Sequence, residues 1–332
     1  MRLHTARYLL RIAALLGAVW ALPDTALAAD KYPSQAITIV IPFGVGGESD
    51  SAARALAPLI EKHFPGSSIK LQNMPGNSGT LAAKYVLDAP ADGYTLLLGR
   101  VANLGMAPAL DSTLPYAAQD FATLGILERT PFVCVVPNDS DIANARDMIK
   151  ALRDPSRKLV YATTGETTGH YMAGLYMLKL IGRPNQTATP LHLNSAVQVN
   201  EAVLSGKAQF AFNHVSTLLP LLRDHKLRAL FTNAPGRIPA LPDLPNASEV
   251  GLRELSQISG WSALAISKKT PKAIVELWRT VLKKATGDPQ WQAYATSSGG
   301  PASMGAQQSP DDFVASQVAF YEELAILSGL RK

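Results

Sequence analysis

Residues 36–56 read AITIVIPFGVGGESDSAARAL. From Ala36 to Pro42 the chain is apolar or β-branched almost without alternation, as in a strand covered on both faces. Gly44 to Asp50 is then a glycine-rich turn. From Ser51 to Phe64, Ala52, Ala55, Leu56, Leu59 and Ile60 fall on one helical face. Strand, glycine turn and helix thus follow in order. The pattern continues with a strand at Ile69 to Leu71, a turn at Met74 to Gly79, a helix at Thr80 to Leu87 and a strand at Tyr94 to Leu98. It restarts at the strand Phe132 to Val136 and runs through strands near 159–162, 208–213, 228–232 and 263–266. Helices near 143–152, 169–181, 197–204, 217–223, 271–286 and 310–328 separate or follow them. This α/β alternation predicts mostly parallel sheets with helices on both faces. Its occurrence in two blocks predicts two lobes with a ligand cleft between them. Ligands of open α/β sheets bind at the carboxyl ends of the strands.

The N-terminus reads as a secretory signal. Arg2, Arg7 and Arg11 form a positive n-region, Leu9 to Leu22 a short apolar stretch, and Ala26-Leu27-Ala28 a small-residue cleavage site. Cleavage is expected after Ala28, which places the mature chain in the periplasm. The apolar run falls short of the ~20 residues that a membrane span needs. The full chain carries a formal +5, and removing the signal, with its three Arg and one Asp, leaves +3. With no Lys/Arg run and no basic-aromatic stripe, nucleic-acid binding is not indicated. The one cysteine, Cys134, sits in the apolar run PFVCVVP. It cannot form an internal disulfide, and its setting is that of a buried, inert strand residue. Apolar content of 47% is ample for two cores.

Three loops after strands of the first block are candidate ligand sites. In the first, Gly46, Gly47, Glu48, Ser49 and Asp50 lead into a helix, whose unpaired N–H groups and partial positive charge suit an anion. Asp50 admits a second reading, as a helix-start residue paired with Arg54 at i+4. The second loop carries Asn77, Ser78 and Gly79, and is either a matching set of backbone donors or an ordinary turn. The third is Arg100, at the end of YTLLLGR, which could grip a carboxylate bidentately or lie solvated at the rim. In the second block, Thr163, Thr164 and His170 flank a strand-to-helix turn. His170 reads either as a ligand contact or as a first-turn capping residue. His192, Asn194, Ser195, Asn213 and His214 are further polar residues near expected strand ends.

Enzyme motifs fail in detail. Ser49 stands where a dinucleotide fingerprint needs its third glycine, no Gly-Lys-Ser/Thr follows the first loop, and Gly47-Glu48-Ser49-Asp50-Ser51 lacks the last glycine of a nucleophile elbow. Six histidines and one cysteine give no zinc-ligand spacing, so no metal or other cofactor is implied.

The chain resembles the Bug family, the TctC-like substrate-binding proteins of tripartite tricarboxylate transporters. The resemblance runs in order through Tyr32-Pro33-Ser34, Pro42-Phe43, Gly46-Gly47, Asp50 with Arg54, Asn73-Met74-Pro75-Gly76 and Asp92-Gly93-Tyr94-Thr95-Leu96-Leu97. It continues with Pro108-Ala109-Leu110, Leu114-Pro115-Tyr116, Asp120-Phe121, Lys226 to Leu230, Arg237 to Pro245, Glu249-Val250-Gly251-Leu252 and Trp261. It implies a two-lobed, type II periplasmic binding protein fold. Lobe 1 would comprise residues 29–128 and 258–332, and lobe 2 residues 129–257. It also implies that the loops at Gly46-Gly47 and Gly76–Gly79 hold a carboxylate through backbone N–H groups, while Thr163, Thr164 and nearby residues meet the rest of the ligand. The function implied is that of a monomeric receptor, not an enzyme, which captures a small carboxylate by lobe closure and delivers it to a membrane permease. A receptor of the same fold that docks on a sensor kinase is the alternative. The chain departs from the family pattern at Gly44-Val45, Arg100, Leu193-Asn194-Ser195 and Phe212-Asn213-His214. One acid fewer and one arginine more near the cleft suggest an aliphatic or aromatic dicarboxylate, with Arg100 on the distal carboxylate.

Overall fold

A β-branched run without alternation belongs where both faces of a strand are covered. Ile37, Ile39, Val40 and Ile41 are accordingly fully buried. A computed structural model describes residues 32–166, 168–183, 188–297 and 308–330. Of the separate unit Met1–Ser34, only Tyr32–Ser34 are among them, so the expected signal and its cleavage after Ala28 lie outside the described residues. Ten strands follow: β1 (Ile37–Ile41), β2 (Ile69–Asn73), β3 (Thr95–Arg100), β4 (Phe121–Thr130), β5 (Phe132–Pro137), β6 (Leu159–Thr163), β7 (Ala188–His192), β8 (Phe210–His214), β9 (Leu227–Thr232) and β10 (Gly260–Ser267). They form two five-stranded sheets, in the orders β2-β1-β3-β10-β4 and β7-β6-β8-β5-β9.

The two sheets share one topology. In the first, β1 pairs in parallel with β2 and β3, while β10 runs antiparallel to β3 and β4. In the second, β6 pairs in parallel with β7 and β8, while β5 runs antiparallel to β8 and β9. Each sheet is therefore mixed: four strands run one way, in keeping with the mostly parallel sheets expected from the sequence, and one runs against them. The reason is the path of the chain. β4 ends one sheet and, one residue later, β5 opens the other. A strand that enters from the side where its neighbours end must run against them. β10 does the same on the return from β9. The carboxyl ends of the parallel strands and the amino ends of β5 and β10 are thereby brought to a common side.

Sequence patterning leaves out β4, the longest strand. Gly125 and the adjacent Glu128 and Arg129 interrupt its apolar run, yet its pairing with β10 absorbs them through two register shifts. It also leaves out β7, an edge strand that tolerates Pro190. Cys134 is fully buried in β5, and burial pushes its thiol upward, as befits an inert residue.

Ten helices cover the sheets among the described residues: α1 (Glu48–His63), α2 (Thr80–Asp88), α3 (Ala107–Leu110), α4 (Ala145–Arg153), α5 (Gly169–Leu180), α6 (Ala196–Leu204), α7 (Val215–Arg223), α8 (Lys272–Gly287), α9 (Pro289–Ser297) and α10 (Pro310–Ser328). No described helix is long and apolar enough to cross a membrane. The C-terminal helices belong to the first sheet. α8 packs on α1 and β4, and α10 on β4. The buried Trp261 of β10 donates its indole N–H to Gln317 Oε1 of α10 at 3.0 Å. Phe64, after α1, meets Trp278 of α8 edge to face at 5.6 Å.

Asp288, between α8 and α9, fixes this corner. Its carboxylate lies 2.7 Å from Lys62 Nζ and 3.0 Å from His63 Nε2, both at the end of α1. Hydrogen bonds from Lys62, the Gln290 backbone and His63 hold it well below the ordinary aspartate value of 3.8. A lowered carboxylate pKa contributes stability above the unfolded value and loses it as pH falls toward the folded value. Asp288→Asn is expected to lower the thermal midpoint at pH 7. The gap to the parent protein should narrow as pH drops below about 4, which calorimetric scans across pH would measure.

Candidate functional site

Pro42 ends β1, and the chain turns through Gly46 at φ +79°, a left-handed conformation that favours glycine. Gly47 is the N-cap of α1 in extended geometry, and no side chain caps the helix. The first-turn N–H groups of α1 thus have no capping side chain to satisfy them. Asp50 takes the i+4 pairing. Its oxygens accept from Gly46 N at 2.9 Å, Arg54 Nε at 2.8 Å and Asn73 Nδ2 at 3.1 Å. The Arg54 guanidinium, with Gly46 N–H, holds it down to about 2. Buried and fully engaged, Asp50 fixes the shape of the loop, and Ser49 is buried beside it.

In the second loop, Gly76, Asn77, Ser78 and Gly79 all have positive φ, of 149°, 47°, 55° and 88°. Gly79 closes this turn by donating its N–H to Gly76 O at 2.8 Å, which leaves the loop between them bulging outward. Asn77 and Ser78 are exposed and Gly79 is buried. A side chain at Gly79 would meet Pro42 Cβ at 2.8 Å and Asn103 Cβ at 3.3 Å. The absence of one lets the second loop lie directly on the first. Asn103 secures the contact, donating from Nδ2 to Gly79 O at 3.2 Å and accepting Arg100 N–H at 2.7 Å. Gly79→Ala should lower stability by about 1–3 kcal/mol, from left-handed strain and this close approach. Denaturant unfolding measures it.

Arg100, at the end of β3, is only 6% exposed. Its Nη2 meets Glu48 Oε2 at 2.6 Å and its Nη1 lies 3.4 Å from Glu128 Oε1 at the end of β4. Glu128 is itself buried and also accepts from Ser262 Oγ at 3.1 Å. The expected gain of positive charge is therefore corrected. The arginine comes with two carboxylates, and the trio carries a formal −1. Burial pushes the Glu48 carboxyl upward, but the net shift is downward, with Arg100 foremost among the groups that lower it, so Glu48 stays ionised.

The second half contributes a neutral network. Asn213 Nδ2 donates to Ala196 O at 3.0 Å and Asn200 Oδ1 at 2.8 Å. Its Oδ1 therefore faces His214 N–H at 2.9 Å and His170 Nε2 at 3.1 Å. Only a protonated Nε2 can donate there, so His170 Nδ1 is bare and accepts from Thr164 Oγ1 at 3.1 Å. Burial, then His214, pushes His170 down to about 3, and burial lowers His214 too. Both rings are neutral at pH 7. With Phe132 they form an aromatic wall, Phe132 and His214 being 4.3 Å apart and 31° from parallel, with His170 edge-on at 5.1 Å from Phe132. The halves meet here. Glu48 senses both histidines, and a Cβ on Gly260 would lie 2.3 Å from Thr130 Oγ1 and 2.9 Å from His214 Cε1. The buried Thr163 Oγ1 has no partner among the described residues, while the Thr130 hydroxyl lies beside the Glu48 carboxylate and the His214 ring beside the Pro131 backbone.

Among known proteins, the family profile "Tripartite tricarboxylate transporter family receptor" matches residues 52–327. The chain belongs to this receptor family. BugT of Bordetella pertussis is 26% identical over 279 residues, covering 83% of this chain and 84% of BugT. MatC of Rhodopseudomonas palustris, solved with bound malate, has TM-score 0.73 at 25% identity over 88% of this chain and 99% of its own. A second R. palustris protein, solved with adipate, has TM-score 0.74 at 25% identity over 90% and 99%. The fold is thus the two-lobed one of periplasmic binding proteins, and as a member of the receptor family the chain is a solute-binding protein, not an enzyme.

Of the residues singled out in this family member's sequence, Gly46 to Asp50, Asn77 to Gly79 and Arg100 converge at the ends of β1, β2 and β3. Thr163, Thr164, His170 and Asn213 cluster at the ends of β6 and β8. Asn194 and Ser195 are exposed at the start of α6, where Ser195 Oγ caps Gln198 N at 3.2 Å and Gln198 Oε1 accepts Asn194 N–H at 2.9 Å. Sequence reading leaves out Glu128, Thr130, Ser262 and the ring of Phe132. An acid at the end of an apolar strand was the available signal for Glu128. Thr130 and Ser262 gave none, since their neighbours come from distant strands. Arg100→Met should cost about 3–5 kcal/mol by stranding Glu128 in the interior. Arg100→Met with Glu128→Gln should recover part of it, as chemical denaturation of the two variants would show.

Proposed function

We propose that this chain is an exported, monomeric periplasmic receptor that captures a small carboxylate between its two halves and delivers it to a membrane permease of a tripartite transporter. The observation that carries this is the contact of the two donor loops. The uncapped start of α1 and the left-handed run Gly76–Gly79 lie against each other through Gly79 and Pro42. Two sets of backbone donors converging on one spot suit a carboxylate, and they leave side chains elsewhere to set ligand identity. Malate and adipate in the two R. palustris neighbours support the class. In this reading the N–H groups of Glu48, Ser49, Asn77 and Ser78 hold one carboxylate, while those of Gly46 and Gly79, given to Asp50 Oδ2 at 2.9 Å and to Gly76 O at 2.8 Å, shape the two loops. Thr164 and His170 face the remainder of the ligand across the cleft, with the fully buried Thr163 and Asn213 positioning them from behind, and tighter binding to the closed arrangement drives closure. Export, with cleavage after Ala28, rests on the order of residues at the N-terminus. Arg100, held by Glu48 and Glu128, acts as a scaffold for the site, which replaces its expected role on a distal carboxylate.

Native mass spectrometry of the purified protein, followed by thermal unfolding with a panel of mono-, di- and tricarboxylates, tests this. A true ligand at 100-fold excess over its Kd should stabilise the fold by about 2.7 kcal/mol. No shift with any carboxylate would contradict the reading.

A further inference from the structure

The first donor loop ends on a carboxylate of its own. Glu48 is the first residue of α1, and its Oε2 is held by Arg100 at 2.6 Å. The side chain is 31% exposed, and its other neighbour is the Thr130 hydroxyl. One acceptor oxygen is therefore pinned by Arg100, and the other keeps a lone pair open on the side where the two halves meet. The described residues around it give no charge to balance a second anion. Arg100 is shared with the buried Glu128, and the aromatic wall of Phe132, His170 and His214 is uncharged. Beside Glu48 lies Thr130, 1% exposed, its hydroxyl close to the carboxylate, His214 and Gly260.

We infer that Glu48 determines specificity, selecting carboxylates whose second polar group is a protonated amine or N–H donor over dicarboxylates of matched length. This rests on the carboxylate-receptor reading and names the substrate class within it. The ligand's carboxylate takes the backbone donors. Its cationic or N–H group takes the open oxygen of Glu48, with the Thr130 hydroxyl as a second acceptor. A planar body between the two ends fits against the half-buried rings of His170 and His214, which Phe132 backs. A second carboxylate at this place meets Glu48 at short range in a site shielded from water, where like charges repel strongly. An ammonium there turns the same interaction favourable.

Titration calorimetry on the full mature protein with two matched pairs decides it: glutarate against γ-aminobutyrate, and terephthalate against para-(aminomethyl)benzoate. In at least one pair the amino member should bind about tenfold tighter or better, the scale of one charge pair in a partly shielded site. Glu48→Gln should abolish or reverse that preference. Tighter binding of the dicarboxylate in every pair by the parent protein would overturn the inference and leave the receptor reading standing, as would a preference unmoved by Glu48→Gln. The parent comparison decides alone if the variant fails to fold. Failure of both pairs while other small carboxylates bind would likewise overturn the inference only. No binding by any carboxylate would remove both readings.

Discussion

A guanidinium that is 6% exposed must be neutralised where it lies. Around that constraint the first half of the cleft is assembled. Arg100 ends β3, Glu48 opens α1 and Glu128 closes β4, so one buried cation ties together three elements distant in sequence. Its own N–H is accepted by Asn103, whose amide then holds Gly79. The charge cluster and the two donor loops are thus one connected structure, and displacing Arg100 disturbs both.

The same constraint sets the electrostatics of the cleft. An added arginine reads, in isolation, as attraction for anions. Surrounded by two carboxylates it becomes part of a trio with a formal −1, facing rings that burial keeps neutral. In the proposed reading anion recognition then falls to the backbone, where N–H groups supply partial positive charge without a countercharge. Side chains are left to discriminate among carboxylates by what else those molecules carry.

Much of the fold was legible in the sequence because local patterns decide it. Ile37 to Ile41 could only be a strand covered on both faces, and the glycines after it only a turn into a helix. Asp50 offered two roles, and its i+4 spacing from Arg54 describes the geometry found. What escaped depended on partners far along the chain. β4 hides its strand pattern behind Gly125, Glu128 and Arg129, which make sense only beside β10 and Arg100. The antiparallel strand in each sheet follows from the chain crossing between halves, which no local window reveals. The donor loops could be seen singly, but not the contact between Gly79 and Pro42 that joins them.

The central claim is that a carboxylate sits on the backbone N–H groups of both loops at once. Amide nitrogen–proton correlation spectra recorded during titration with a stabilising carboxylate observe those groups directly. The account predicts saturable downfield proton shifts, with one common affinity, for amides in 48–49 and in 77–78. Shifts confined to one loop, or centred away from both, would contradict it.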